Sequence, residues 1–263
     1  EKVSVHRDEP VFDGQFSNRC YQSAVRQAFH NFREKAERAG RYNPESDERF
    51  TEQWSRIIMH LPYAYQAKRM FPDVFRHDRE DTEFWNDVAK HLGPAPEPHN
   101  SDDPVIIEIW EKAMDGYRRA ISKTPQYLEF HASRIEKGQR ASSLIGNQYT
   151  GSIFLALMSS FESDLEENDN LDNNLFGLCG YGSGAKAKVF EGKVSPRWRE
   201  VVSRWNLFER LAGRVAIDHV TYENLHKGLQ SGSVVEPEGE FALVEITESG
   251  VQEGARRYKW IGA

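Results

Sequence analysis

The stretch RIIMHLPYAYQAKR, residues 56–69, sets the reading of the whole chain. Three apolar residues, Ile57, Ile58 and Met59, run into His60, and Pro62, Tyr63 and a basic pair, Lys68 and Arg69, follow. A short apolar run closed by proline reads as a buried strand whose end opens into a loop or helix start. Taken alone, an imidazole there is more often a hydrogen-bonded structural group than a catalyst. Its near-neutral pKa nevertheless makes it the favoured acid or base when it faces a cleft.

The surrounding 263 residues suffice for one large core or two modest ones. The sequence starts at Glu1 rather than Met, so a processed or partial chain is expected. A hydrophobic share of 38% with 29% charged residues is that of a water-soluble globular protein. No apolar run approaches the roughly 18 residues that span a bilayer, and no basic segment followed by an apolar one opens the chain. A cytoplasmic protein without membrane contact is expected. The net charge of -7 argues against sequence-independent binding to nucleic acid, which needs clustered Lys and Arg facing phosphates. Two distant cysteines, Cys20 and Cys179, form neither a disulfide framework nor a metal knuckle, so free thiols and no metal site are expected.

Working outward, the Asp13-Gly14 turn and a capping Ser17 predict a helix over 18–39 ending at Gly40. Its stripe of Tyr21, Ala24, Val25, Ala28, Phe29 and Phe32 reads as core. After a polar connection over 43–54 and the Ile57 strand, a helix is expected from about Pro62 to Met70. Residues 71–126, charged and interrupted by GPAPEPHNSDDP (93–104), read as an insertion with two short helical pieces around Trp85 and Trp110. A helix over about 126–137 leads into ASSLIGNQYTGSIFLALMSSFES (141–163), where Gly146 and Asn147 precede a long apolar helix starting near Thr150. The acidic run ESDLEENDNLDNN (162–174) lacks the glycine and glutamate spacing of a calcium loop and reads as a solvated turn. LFGLCGY and AKAKVFEGKV, joined through Gly182, Ser183 and Gly184, predict a hairpin from the middle of a sheet. From Pro196 a tail of two helices, the strand FALVEIT and a closing GARRYKWIGA completes the chain.

Three segments in order carry chemistry: MHLPY at a strand end, IGNQYTGS opening an apolar helix, and LFGLCGYGSG opening a hairpin. Together they closely resemble the carboxyl-terminal half of hydroxymethylglutaryl-CoA synthase, a condensing enzyme of thiolase fold. VFDGQFSNRCY (11–21) and AIDHVTYENLHKG with FALVEITESGVQEGARRYKW (216–228 and 241–260) are similar to that family too. The resemblance covers the chain apart from residues 71–126. It implies an α/β fold with a thiolase-like mixed sheet layered between helices, a single domain over 1–263 carrying the family's tail after Pro196, and a transferase of isoprenoid (mevalonate) biosynthesis. The family acetylates a cysteine with acetyl-CoA and adds the acetyl carbanion to the ketone of acetoacetyl-CoA, with CoA thioesters as substrates and no cofactor. On that pattern His60 polarises the acceptor carbonyl or stabilises the developing alkoxide, Asn147 supplies a neutral donor beside it, and Ser183 with Gly182 lies near the acyl thioester. Tyr63 and Tyr149 flank these groups, and Lys68 and Arg69 stand in for a family lysine replaced here by Tyr65.

The family's nucleophilic cysteine and general-base glutamate belong to the amino-terminal half, and no residue of the sequence precedes Glu1. Cys20 lies mid-helix and Cys179 reads as a buried strand cysteine, so neither replaces the nucleophile. The chain is therefore expected to hold half an active site, to be inactive by itself, to need the amino-terminal half of the same enzyme, and to associate as a homo-oligomer. A β-branching synthase of polyketide assembly, whose donor rides on an acyl carrier protein, and a non-catalytic thiolase-like interaction module are the alternatives.

Overall fold

The computed structural model describes residues 13–45, 48–97, 100–182, 184–230 and 232–262. Its contacts divide the chain into two compact units, Glu1–Glu209 and Arg210–Ala263.

The first unit is organised by three strands, β1 (Arg56–Met59), β2 (Leu175–Gly182) and β3 (Lys186–Lys193), in the order β1-β2-β3. β1 runs parallel to β2, with Met59 opposite Cys179, and β2 runs antiparallel to β3, with Leu178 opposite Phe190, so the sheet is mixed as expected. Helix α1 (Gly14–Arg38) covers one face. It begins four residues earlier than expected, because the carboxylate of Asp13 rather than the hydroxyl of Ser17 accepts the backbone N–H groups of Gln15 and Phe16. Tyr21, Val25, Ala28 and Phe29 of its stripe are buried.

Seven further helices complete the first two thirds: α2 (Gln66–Met70), α3 (Pro72–His77), α4 (Glu83–Ala89), α5 (Pro104–Ile121), α6 (Pro125–Arg134), α7 (Glu136–Ile145) and α8 (Ser152–Glu166). α2 starts four residues later than expected, since residues 62–65 form bends and turns. Segment 71–126, expected as an insertion, contributes to the main core. Phe71, Val74, Phe75, Trp85, Val88, Tyr117 and Ile121 all belong to the main core, and α5 is an 18-residue helix rather than a short piece. Its apparent breaker, SDDP, is a helix start: Asp103 caps Val105 N–H and Pro104 takes the first turn, where no N–H is needed. Thr124 and Pro125 open α6 in the same way.

Adjacent residues of a strand point to opposite faces. Phe176 stacks on Phe161 of α8 with centroids 5.0 Å apart, whereas Gly177 meets Trp54, which packs on Phe29 of α1 at 6.0 Å. The sheet is thus layered between helices. The inward stripe of α8, read as apolar, is small and polar instead: Ser152, Ala156, Ser159, Ser160, Ser163 and Asp164 are buried, while Phe154 is exposed. Small residues let α7 approach closely, with Ser159 Oγ donating to Lys137 C=O at 2.6 Å and accepting Ala141 N–H at 3.1 Å.

The acidic run is likewise not simply a solvated turn. Asp164 is fully buried against Arg56 and Lys137, and both oxygens of Glu162 accept the N–H groups of Leu207 and Phe208 at the start of a helix. Nor does the tail separate at Pro196, because Trp198 and Val202 of α9 (Trp198–Val202) lie in the core, and the division falls inside α10 (Leu207–Ala212). The second unit contains α11 (His219–His226), capped by Asp218, and an antiparallel hairpin of β4 (Glu240–Ile246) and β5 (Arg256–Ile261).

The contact between Gly177 and Trp54 generates a paired prediction. A Cβ at Gly177 would overlap Cδ2, Cε3 and Cζ3 of the fully buried indole, whereas one at Gly192 would meet Leu178 Cδ1 at an ordinary 3.8 Å. Gly177→Ala is expected to lower stability by about 3 kcal/mol and Gly192→Ala by less than about 1 kcal/mol. Urea midpoints at unchanged m-value are the measurement, and equal effects would contradict the packing assignment.

Candidate active site

β1 delivers His60 to the surface of the sheet with its backbone fixed on both sides. His60 N–H donates to Cys179 C=O at 2.9 Å, continuing the parallel ladder, and its own C=O accepts the hydroxyl of Tyr21 at 2.9 Å. The imidazole is half-buried, 6.1 Å from the ring of Tyr181, which in turn lies 4.7 Å from Tyr21. Nδ1 lies 2.7 Å from Oγ of Ser152, the first residue of α8, and the same oxygen accepts Leu61 N–H at 3.1 Å. Among the described residues Nε2 has no hydrogen-bond partner, so one ring nitrogen is held and the other is available. Burial lowers the His60 pKa below its ordinary value of 6.5. At neutral pH the ring is therefore an uncharged donor and acceptor.

Asn147 lies in the loop that leads into α8. Its Oδ1 accepts Tyr149 N–H at 2.7 Å, closing an Asx turn, which leaves the Nδ2 amide as a donor. Gly146 has φ 90° and ψ -157°, a conformation open only to glycine, and Tyr149 is left-handed at φ 47°. The loop is thus bent by backbone chemistry at both sides of Asn147, a few residues ahead of the Ser152 contact to His60. The Tyr149 side chain itself projects outward, 77% exposed.

The remaining expected site residues are less tightly gathered. Gly182 ends β2 opposite Lys186 and is exposed. Ser183 lies outside the described residues. Tyr63 is exposed beside Arg69, its hydroxyl 3.5 Å from the guanidinium. Lys68 is half-buried, and its backbone C=O accepts the Tyr127 hydroxyl at 2.8 Å. Cys179 is fully buried, and burial pushes its thiol up to about 12, which removes it as a nucleophile. Sequence reasoning overlooked Ser152, Tyr21 and Tyr181. Ser152 was visible only as the last letter of IGNQYTGS, and nothing in that string shows which side chain faces it. A cavity of about 430 Å³ between α1 and α3, lined by Phe29, His30, Phe50, Val74 and His77 among others, does not include His60. Among the described residues no cluster of three or more His, Cys, Asp or Glu is placed to hold a metal, and no helix is long and apolar enough to cross a membrane.

The mixed sheet layered between helices is of the thiolase-like class. Residues 2–231 match the hydroxymethylglutaryl-coenzyme A synthase C-terminal family, and the chain belongs to that family. It is 27% identical to the hydroxymethylglutaryl-CoA synthase of Haloferax volcanii over 89% of this chain and 51% of that protein, and 22% identical to that of Saccharomyces cerevisiae over 95% and 49%. The solved structure of MvaS in complex with 3-hydroxy-3-methylglutaryl coenzyme A superimposes with a TM-score of 0.69 at 27% identity, covering 98% of this chain and 53% of that one. The curacin biosynthetic HMG synthase in complex with holo donor-ACP, at 16% identity and a TM-score of 0.61, shares the fold. The chain thus spans about half the length of the curated relatives it matches.

The lowered pKa of His60 has a counterpart in His131, which is buried, lowered mainly by burial, and 2.6 Å from Gln139 Nε2. For both groups the unfolded chain binds protons more readily than the folded one. Their contribution to stability is complete above the ordinary value of 6.5 and is lost as pH falls from there through the lowered folded values. Unfolding free energy is expected to decline between about pH 7 and pH 5 by at most ~1.4 kcal/mol per pH unit for each histidine. His131→Gln should flatten that slope in urea titrations at several pH values. An unchanged slope would contradict the assignment.

Proposed function

We propose that this chain is the acceptor-binding part of an enzyme that condenses acetyl-CoA with acetoacetyl-CoA, and that His60 is the group acting on the acceptor ketone. The observation that carries the reading is the arrangement of His60 itself: Nδ1 held by Ser152, Nε2 free among the described residues, and a ring kept neutral by burial. When the acetyl carbanion attacks, a carbon–carbon bond forms and the carbonyl π pair moves onto oxygen. A tertiary alkoxide developing in a partly dry site needs donors aimed at that oxygen. Nε2–H is one, and the Nδ2 amide of Asn147 is the second. Gly182 and Ser183 are proposed to lie along the acyl thioester, with Tyr63 and Tyr149 flanking the acceptor.

The acetylated cysteine and the base that generates the carbanion are proposed to come from the amino-terminal half of the same enzyme. This fits a chain in which Cys179 is sealed in the core and Cys20 sits within α1. MvaS binds 3-hydroxy-3-methylglutaryl coenzyme A, and the likeness to it at 27% identity favours CoA thioesters over carrier-bound substrates here. A cytoplasmic setting is proposed on the likeness to the rat synthase named as cytoplasmic, 27% identical over 74% of this chain.

In the full-length enzyme His60→Ala is expected to lower condensation by about 2 to 4 orders of magnitude, as for loss of a positioned acid or oxyanion donor. Acetylation of the enzyme, followed with labelled acetyl-CoA, should persist. Condensation near the wild-type rate would remove His60 from the mechanism.

Lys68 and Arg69 follow His60 at the end of the short helix α2 and are proposed to reach the phosphates of CoA. Each exposed contact of this kind contributes roughly 1 kcal/mol or less. Replacing both by Ala should raise the KM for CoA substrates several-fold with little change in kcat. A loss confined to kcat would refute the assignment.

A further inference from the structure

We propose that Ser152 is a positioning residue that holds His60 in the tautomer carrying its proton on Nε2. The inference rests on the proposed role of His60 in condensation and adds the group that sets which ring nitrogen donates.

The number of protons around the Ser152 hydroxyl selects the tautomer. A serine hydroxyl has one proton and two acceptor lobes. Ser152 is fully buried, and Leu61 N–H occupies one lobe of its Oγ at 3.1 Å. Its other contact is His60 Nδ1 at 2.7 Å, a hydrogen bond that either atom could donate. If Nδ1 carried the proton, it would fill the second lobe, and the hydroxyl proton would need an acceptor of its own. Among the described residues no such acceptor is recorded. An enclosed donor left without a partner is disfavoured. The arrangement that satisfies every group has Leu61 N–H donating to Oγ, Oγ–H donating to Nδ1, and the ring proton on Nε2.

Three features keep the hydroxyl in place. Ser152 is the first residue of α8, so its Cα is fixed by the helix and by the Gly146 to Gly151 loop. Leu61 follows His60 directly, so one oxygen grips both the side chain of one residue and the backbone of the next. Tyr21 and Cys179 hold the His60 backbone from the other side. The imidazole can then present Nε2–H without sampling its second tautomer.

The test is selective 15N labelling of the histidines of this chain, with His60 assigned by the signal lost in His60→Gln. At a pH above its pKa, wild-type His60 should show an unprotonated, hydrogen-bonded Nδ1 and a protonated Nε2. Ser152→Ala should bring in a measurable fraction protonated on Nδ1 and remove the hydrogen-bond displacement of the Nδ1 resonance. Ser152→Thr, which keeps the hydroxyl, should restore the wild-type signature. In the full-length enzyme Ser152→Ala is expected to lower kcat about 10- to 100-fold with KM within about twofold, and to have no further effect once His60 is alanine. A wild-type His60 protonated on Nδ1, or a tautomer unaltered by Ser152→Ala, overturns the proposal. If Ser152→Ala does not fold, the wild-type spectrum decides by itself. A tautomer set by Ser152 together with undiminished condensation by His60→Ala would instead refute the role of His60.

Discussion

The buried carboxylate of Asp164 is the constraint on which the first unit depends. It is fully enclosed near the end of α8, and an unpaired charge there would be untenable. Arg56 answers it through Nε at 3.1 Å from both oxygens, and Lys137 Nζ adds a contact at 2.7 Å. Both cations also reach Asp169. Although burial pulls the Lys137 pKa down, its hydrogen bonds to Asp164, Asp169 and Glu167 hold it above the ordinary lysine value. Removal of one partner from such a group typically costs about 3 to 5 kcal/mol, because a charge is left buried alone. The network therefore fixes the start of β1 against α7 and α8.

The second end of β1 is fixed by different means. Arg56, Ile58 and His60 alternate onto the α8 side of the strand, so the residue that grips Asp164 and the residue that touches Ser152 share a face. From Arg56 to His60 the strand advances roughly 13 Å, and from Ser152 to Asp164 the helix advances roughly 18 Å. The long arginine side chain spans the difference. β1 and α8 run antiparallel and are bolted together at both ends, with Ile57, Ile58 and Met59 buried between the bolts. A positioned imidazole follows from this geometry, since neither His60 nor Ser152 can shift without disturbing the ionic cluster at the far end.

Elements whose burial follows polarity were legible in the sequence. The Ile57 strand, the α1 stripe and the hairpin emerged as expected, because each buries apolar residues at its own period. The core contacts of segment 71–126 were not legible, because they are interleaved with buried charges that the sequence displays as surface. Arg118 pairs with Asp73 at 2.9 Å and Arg79 with Glu52 at 2.8 Å, and a guanidinium inside a protein looks the same in a sequence as one in water. Prolines at 104 and 125 added to the confusion, since a helix-opening proline and a helix-breaking one share one letter. The site divided along similar lines. His60 and Asn147 were singled out through their motifs, and the structure places them at the end of β1 and in the glycine-bent loop before α8. Ser152 was not legible, because its role is created by the residue across from it.

The distribution of charge is consistent with a His60 ring that stays neutral. Around His60 the ionisable neighbours are uncharged at neutral pH: burial raises the phenol of Tyr21 well above its ordinary value, and burial pushes the thiol of Cys179 up to about 12. The ions of Arg56, Lys137, Asp164 and Asp169 stand at the opposite end of β1. A lone charge roughly 13 Å away at an effective dielectric of about 20 would act on the imidazole with about 1 kcal/mol, close to one pKa unit. Two cations face Asp164, Asp169 and the solvent-exposed Glu167, so most of that field cancels and water screens the remainder. The protein thus places its strong electrostatics where they hold the strand and leaves a weakly polar surrounding around His60, which suits the role proposed for it. In that surrounding, a hydrogen bond from Nε2 to an oxygen gaining negative charge is stronger than the same bond in water.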